Sequence, residues 1–211
     1  MEIHAHVPKI GKTPAHWLLE GLLIVVSVGL AFGVAQFRES RENHELAARV
    51  LKSLHAEVEH NLAILQPENA AHRKWVDALA KADTSKSSQT GLDVFFATRP
   101  ELPAEFRTAF PPLRRGAWDA ALSTGALRLI DYDVVAAFSD IYQMQELVSG
   151  AVKTLASSGL SSTAAFDPAS RAVSVRQLVL AMTEVEGTER LLLDLYRQHL
   201  STIRAAANGE R

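Results

Sequence analysis

The sequence predicts an all-α protein: one N-terminal transmembrane helix that continues into a stalk, then an antiparallel helical bundle of about four helices. Three observations predict this class. An apolar run of about 20 residues lies near the N-terminus, apolar residues recur at helical spacing beyond it, and no segment shows the sustained two-residue alternation of strands. We therefore divide the chain into a short tail at 1–15, a transmembrane helix at 16–37 and a helical domain at 38–211, with an irregular connector at 84–116.

The apolar run extends from Trp17 to Phe37 and reads WLLEGLLIVVSVGLAFGVAQF, with Glu20 as its single ionisable side chain. A helix of ~20 residues covers the ~30 Å hydrocarbon layer of a bilayer. Two alternatives remain open: the buried core helix of a soluble protein, and a signal peptide cleaved at Gly33-Val34-Ala35. The transmembrane interpretation is favoured because the run is apolar on every side, is longer than a signal-peptide core and leads straight into a charged helical segment.

Two features of the apolar run predict contacts within the membrane. Gly29 and Gly33 form a GxxxG motif, in which small residues four apart let two helix backbones approach closely. Small residues repeat that spacing on roughly the opposite face, at Ser27, Ala31 and Ala35. Glu20 is costly in lipid unless it lies near the head groups or is paired, so we expect either a carboxylate at the interface or one that contacts a partner.

The segment after Phe37 predicts a stalk helix. Opposite charges four residues apart come first, as in Arg38 and Glu42, and stabilise an exposed helix. A seam with alternating spacings of four and three then indicates a face packed on another helix; its members are Ala47, Leu51, Leu54, Val58, Asn61 and Leu65. Asn61 in this seam predicts either a residue that sets the register between helices or a core amide bonded to a neighbour. Pro67 predicts a kink or a new helix start.

The connector at 84–116 changes character. A polar loop, TSKSSQTG, is followed by phenylalanines and prolines that predict an irregular segment whose aromatic rings dock on the bundle. Arg114 and Arg115 lie at its end, and we interpret them as a solvated pair or, alternatively, as a contact for an anion or ligand.

Two further helical segments follow the connector. Residues 117–155 predict helix broken near Gly125, and residues 171–206 predict a last long helix. Asp131 and Asp133 open a helix, where carboxylates accept hydrogen bonds from free backbone N–H groups, so we assign them to capping rather than to acid–base chemistry.

Composition and motifs point away from several function classes. The chain has no cysteine, which excludes disulfides, thiolate nucleophiles and cysteine-ligated metals. Its net charge of −2 offers no basic excess for a phosphate backbone, so no nucleic-acid partner is expected. The eight histidines form no metal-binding motif, and no P-loop, GxGxxG or GxSxG is present. The sequence therefore predicts no cofactor, no metal and no enzyme.

Three stretches resemble a group of uncharacterised bacterial single-pass membrane proteins, a DUF6090-like family of unknown function. They are EGLLIVVSVGLAFGVAQFRE, LKSLHAEVEHNLAIL and AWDAALSTGALRLIDYDVVAAFSDIYQ. The family pattern has a Glu-x-x-x-Asn ending, matched by Glu57 and Asn61, and a later stretch matched by Trp118, Ser123, Gly125, Leu129, Ile130 and Tyr142. The resemblance implies an anchor in the inner membrane with a periplasmic C-terminal domain. It implies no activity.

The flanking charges alone indicate the opposite orientation. Lys9 and Lys12 precede the apolar run, and more positive residues follow it: Arg38, Arg41, Arg49 and Lys52. Counting them places the C-terminal domain in the cytoplasm. We prefer the periplasmic orientation that the resemblance implies, because long domains translocate largely regardless of charge.

The leading functional hypothesis is a membrane-anchored interaction or scaffold module. Its expected partners are the lipid bilayer and either a second copy of the chain or another membrane protein. The alternative is a sensor-like bundle that binds a small ligand between its helices. An enzyme is the least favoured class.

Overall fold

The computed structural model describes residues 14–86, 88–98, 110–159 and 163–209 of the 211-residue chain. Most of these residues are helical, and no strand occurs among them, so the predicted all-α class is confirmed. Five α-helices occur in the described ranges: α1 (Pro14–Ala80), α2 (Gly91–Ala97), α3 (Gly116–Ser123), α4 (Tyr132–Thr154) and α5 (Arg171–Asn208). Most of the predicted tail, residues 1–13, and residues 87 and 99–109 of the predicted connector lie outside the described residues.

Helix α1 is 67 residues long and contains Pro67. The predicted new helix start at Pro67 is therefore wrong, whereas the alternative, a kink within the helix, stays a prediction. Proline removes one hydrogen bond to the carbonyl four residues earlier, here that of Ala63. Both Pro67 and Ala63 are exposed, so water can bond to the carbonyl that proline leaves without a donor.

The chain divides into two compact units, Met1–Leu46 and Ala47–Arg211. In the first unit, α1 exposes its large apolar side chains, including Leu18, Leu23, Leu30 and Phe32. The most apolar 18-residue window of α1 has a mean hydropathy of 2.3, and none of it is buried. By length and composition α1 is a candidate membrane-spanning helix.

The second unit, called the helical domain below, buries its apolar side chains in two clusters. One brings α1, α3, α4 and α5 together and includes Leu54, Val58, Leu65, Trp118, Phe138, Ile141, Tyr142, Leu192, Tyr196 and Ile203. The other brings α2 against the later part of α1 and the first half of α5, and includes Trp75, Leu79, Phe95, Leu155, Leu178, Met182 and Val185. Four of the six residues of the predicted seam of α1 are buried, namely Leu54, Val58, Asn61 and Leu65, and the first two, Ala47 and Leu51, are half-buried.

Local signals explain where the shorter helices begin and end. The connector is not irregular throughout, because α2 forms in it from a capping box between Thr90 and Asp93. Gly125 adopts a φ of 68° directly after α3, a backbone conformation that favours glycine, and the helix ends near there as predicted. Asp131 caps α4 by accepting a hydrogen bond from the Asp133 backbone N–H at 2.9 Å, which confirms the capping assignment.

Candidate functional site

The membrane-helix residues predicted from the sequence lie in the first unit. A Cβ atom built on Gly29 or Gly33 would meet no atom within 4 Å, so no contact within the described chain requires glycine at either position. His16 Nε2 lies 3.9 Å from the Glu20 carboxylate, one helical turn away. Glu20 therefore has a polar neighbour on its own helix, and the predicted packing role of these residues stays a prediction.

Glu57 organises the centre of the helical domain. Its carboxylate is buried and accepts hydrogen bonds from the Ala117 backbone N–H at 2.9 Å and from the Tyr142 hydroxyl at 2.6 Å. The Trp118 backbone N–H also points at it, at 3.4 Å. Arg115, the residue before α3, makes no side-chain cap. A side chain of α1, sixty positions away, thus supplies the carboxylate that the N-terminus of α3 favours.

Asn61, one turn along α1 from Glu57, holds the preceding segment. Its Nδ2 donates to the Arg114 carbonyl at 2.7 Å, and its Oδ1 accepts from the Arg114 N–H at 2.8 Å. The side chain is fully buried. These contacts are those of a core amide bonded to a neighbour, and a role of Asn61 in helix register stays a prediction.

Two aromatic side chains complete this network. The rings of Trp118 and Tyr142 stack with centroids 4.8 Å apart and planes inclined by 15°. We call Glu57, Asn61, Trp118 and Tyr142 the anchor network, because together they join the start of α3 and the segment before it to α1 and α4. All four are residues that carry the family resemblance, and the fold brings them together.

The tyrosines of this region are held in their neutral form. Burial and the hydrogen bond to Glu57 raise the pKa of Tyr142 far above its usual value. Burial also raises the pKa of Tyr196 to about 12, although hydrogen bonds with Gln145 and Asn61 act in the opposite direction. Both hydroxyls therefore remain protonated at neutral pH and act as hydrogen-bonding groups rather than as bases.

The raised pKa of Tyr196 predicts alkaline destabilisation of the helical domain. In the unfolded chain a tyrosine has a pKa of about 10, whereas in the fold that of Tyr196 is about 12. The folded state binds this proton more tightly than the unfolded chain does. The contribution of Tyr196 to the free energy of unfolding is therefore fully present below pH 10 and is lost as pH rises from about 10 to about 12. We expect the free energy of unfolding, measured by urea titration, to fall less steeply over that interval in Tyr196→Phe. The exposed Tyr132→Phe serves as control, and equal slopes in the two variants would contradict the assignment.

Of the two arginines proposed as an anion or ligand contact, Arg115 has a side-chain partner, whereas Arg114 is bonded, within the described residues, only through its backbone. Arg114 is held through its backbone by Asn61. Arg115 donates from Nε to both carboxylate oxygens of Asp119, each at 3.1 Å. An anion at Arg115 would have to compete with that carboxylate. The side chain of Arg114 is exposed, and the predicted anion or ligand contact stays a prediction.

A second cluster of polar side chains lies between α1 and α5. His72, which is fully buried, has its Nδ1 2.8 Å from Glu189 Oε2. Asn69 Nδ2 donates to the Glu186 carbonyl at 2.9 Å and to Glu189 Oε2 at 3.3 Å. Arg73 donates to the Glu186 carboxylate at 3.0 Å. We call these five residues the interhelical polar cluster.

The imidazole in this cluster is enclosed by aromatic rings. Trp75 lies 4.5 Å from the His72 ring and Phe110 stacks on it at 4.6 Å. Phe110 belongs to the predicted connector, so this aromatic ring docks on the bundle, as does the fully buried Phe95. Phe96 is about half exposed, and Phe106 lies outside the described residues.

A cleft of about 210 Å³ lies beside this cluster. Leu65 of α1, Pro111 and Leu113 of the connector, and Val148 and Val152 of α4 form its apolar walls. Four polar side chains also line it, namely Glu68, Ser149, Lys153 and Glu189. Neither Arg114 nor Arg115 is among the residues that line it.

Sequence reasoning missed the interhelical polar cluster and Glu189 above all. A signal was present in α5, where Met182, Val185, Glu189, Leu192 and Tyr196 follow spacings of three and four. Glu189 therefore occupies a core position in an otherwise apolar seam. A buried carboxylate at such a position requires hydrogen-bond donors nearby, and His72 and Asn69 provide them.

Comparisons with known proteins add no relative to this picture: no family model matches the chain, no curated protein matches it, and no solved structure matches it. In the described part of the chain no group of three or more His, Asp or Glu side chains is arranged to hold a metal ion. What the domain does is therefore inferred from its own residues.

Proposed function

We propose that this protein is a single-pass membrane-anchored interaction module, in which the apolar part of α1 lies in the bilayer and the helical domain is held at the membrane surface. The observation that carries the proposal is the exposed apolar stretch of α1, whose 18-residue window of mean hydropathy 2.3 is not buried at all. Apolar surface of that extent is unfavourable in water. A lipid environment removes it from water.

Self-association through the membrane helix is the interaction that we favour. Gly29 and Gly33 lie on one face of α1, and their Cα atoms face open space within the described chain. In lipid, where apolar contact gives no hydrophobic driving force between helices, such small residues permit close backbone packing. A second copy of the chain is therefore the proposed partner, and another membrane protein is the alternative.

The arrangement proposed for the helical domain is an antiparallel bundle of about four helices. Its support is the order of contacts along the helices. Helices α1 and α5 run in opposite directions. Glu59 contacts Arg204 at 3.1 Å, and His72, which comes later in α1, contacts Glu189, which comes earlier in α5. Between α4 and α5, Gln145 Nε2 donates to the Tyr196 hydroxyl at 2.8 Å. With α3 as the fourth helix, these contacts fit the proposed bundle.

The resemblance to the DUF6090-like family also stays a proposal, and with it the location in a bacterial inner membrane with a periplasmic domain. Its support is that Glu57, Asn61, Trp118 and Tyr142, which carry the resemblance, form one network. Protease treatment of sealed spheroplasts would test the orientation, since only a periplasmic domain is cleaved from outside.

Crosslinking in native membranes tests the interaction proposal. We expect the full chain to sediment with membranes after carbonate extraction and to give a crosslinked dimer. Gly29→Ile with Gly33→Ile should reduce the crosslinked fraction several-fold, because the added side chains hold two helices apart.

The matched control is Ala31→Ile, which adds similar volume on roughly the opposite face of the same helix. It should leave the dimer fraction unchanged. A chain that is released by carbonate, or one that is monomeric with and without the glycine substitutions, would count against the proposal. Equal loss in the control and in the glycine variant would place the contact elsewhere on α1.

A further inference from the structure

The cleft beside Glu189 has the size and chemistry of a small-molecule site. Its volume of about 210 Å³ is below the ~300 Å³ at which sites for drug-sized ligands begin. It is larger than the ~150 Å³ engineered cavity that binds benzene. One ring or one short branched chain with a single substituent fits this space.

The walls select an apolar body. Leu65 and Val148 are buried and belong to the first core cluster, Val152 packs on the second, and Pro111 closes one side. Proline at this position adds no backbone N–H to the wall. A ligand that enters the cleft therefore exchanges water for apolar contacts over most of its surface.

One wall carries a buried carboxylate that can accept a further hydrogen bond. Glu189 is only 3% exposed, and both hydrogen bonds that it accepts within the described residues go to Oε2, from His72 and Asn69. A carboxylate has about four lone-pair sites on its two oxygens. Oε1 is thus left to accept from a donor inside the cleft that Glu189 lines.

The charges around the cleft favour a cationic donor. Glu189 contributes a buried carboxylate to one wall, whereas Lys153, which carries the opposite charge, is an exposed residue at the rim. A donor that carries positive charge gains a charge-assisted hydrogen bond with Glu189, which is stronger than a neutral one. A neutral or anionic substituent gains less.

We propose that this cleft binds a small amine with a single-ring aromatic or short branched body, its ammonium group donating to Glu189 and its body lying between Leu65, Pro111 and Val152. Such a site gives the helical domain the capacity of a sensor-like bundle. The proposal does not depend on where the membrane helix lies or on self-association.

Fluorine NMR titration of the full-length protein in nanodiscs tests the site with two probes, 4-fluorobenzylamine and 4-fluorotoluene. Both should bind saturably, the amine at least ten-fold more tightly. Glu189→Gln, which keeps the shape of the side chain, should weaken the amine at least ten-fold and change the affinity for 4-fluorotoluene less than two-fold. Ser149→Trp places an indole over the rim and should weaken both probes at least ten-fold.

The matched control is Ser139→Trp, at an exposed position of α4 that does not line the cleft. It should bind both probes as the unaltered protein does, and empty nanodiscs correct for partition into lipid. Absence of saturable binding to the unaltered protein overturns the site. Equal affinities in Ser149→Trp and Ser139→Trp also overturn it, and an unchanged amine affinity in Glu189→Gln overturns the role of Glu189. If Ser149→Trp fails to fold, the Glu189→Gln comparison of the two probes decides alone.

Discussion

A chain that lacks residues 1–46 is expected to fold, whereas a chain that lacks residues 1–58 is expected to remain unfolded. The first deletion ends at the boundary of the compact unit Ala47–Arg211. The second also removes Leu54 and Val58, both fully buried, and Glu57 at the centre of the anchor network. Loss of a buried leucine side chain alone costs about 2–5 kcal/mol, and the total stability of a domain is about 5–15 kcal/mol.

Circular dichroism and urea titration of the two truncated chains check this expectation. The shorter deletion should give a helical protein with one cooperative transition, and the longer one a chain without a transition. The comparison is controlled internally, because the two chains differ by only a short stretch of α1. Cooperative unfolding of both chains would show that the start of the helical domain lies later in α1 than its buried face indicates.

Replacement of Glu57 by alanine is the point substitution expected to have the largest effect. It leaves the Tyr142 hydroxyl and two backbone N–H groups at the start of α3 without their acceptor. Each buried donor left unsatisfied costs about 1–3 kcal/mol, so we expect the free energy of unfolding to fall by about 3 kcal/mol or more. Urea titration of the 47–211 fragment, followed by tryptophan fluorescence, measures the change.

Glu59→Ala is the matched control for this substitution. Glu59 lies two positions further along α1 and makes an ion pair with Arg204 at 3.1 Å, but both side chains are about half exposed. Exposed ion pairs contribute about 0–1 kcal/mol, so the control should lose less than about 1 kcal/mol. The loss of stability in Tyr142→Phe should be intermediate, since this substitution removes one of the three donors to Glu57. If Glu57→Ala and Glu59→Ala are equally stable, Glu57 does not organise this region.

Periodicity predicted the helices well because each buries one apolar face. The stretches predicted at 117–155 and 171–206 match α3 through α4 and α5, including the break at Gly125. The error at Pro67 had a consequence for the candidate site. Val58, Leu65, His72 and Leu79 are seven residues apart and form one line along α1, but a helix that ends at Pro67 hides the fact that His72 continues that line.

The partners of the buried polar residues could not be predicted. Asn61 was identified from its seam position, but it bonds to the backbone of Arg114, and a backbone amide has no signature in the sequence. The exposed Arg115 is a different case, because its partner Asp119 lies four positions later, the same spacing that predicts the pair of Arg38 and Glu42. The cleft arises only when the connector packs on α1 and α4, which brings Pro111 and Val148 together across a long separation in the chain.

The hydrogen bonds between Asn61 and residue 114 do not depend on which side chain residue 114 carries. The two hydrogen bonds between Asn61 and this position involve only the backbone of Arg114, because Asn61 accepts from its N–H and donates to its carbonyl. Any residue with a backbone N–H satisfies them, so proline is the one replacement that removes a bond outright. At position 61 the reverse holds, because only an amide side chain of this length presents a donor and an acceptor together. Substitutions other than proline at position 114 therefore preserve these hydrogen bonds, whereas substitutions at position 61 remove them, although both positions take part in the same contact.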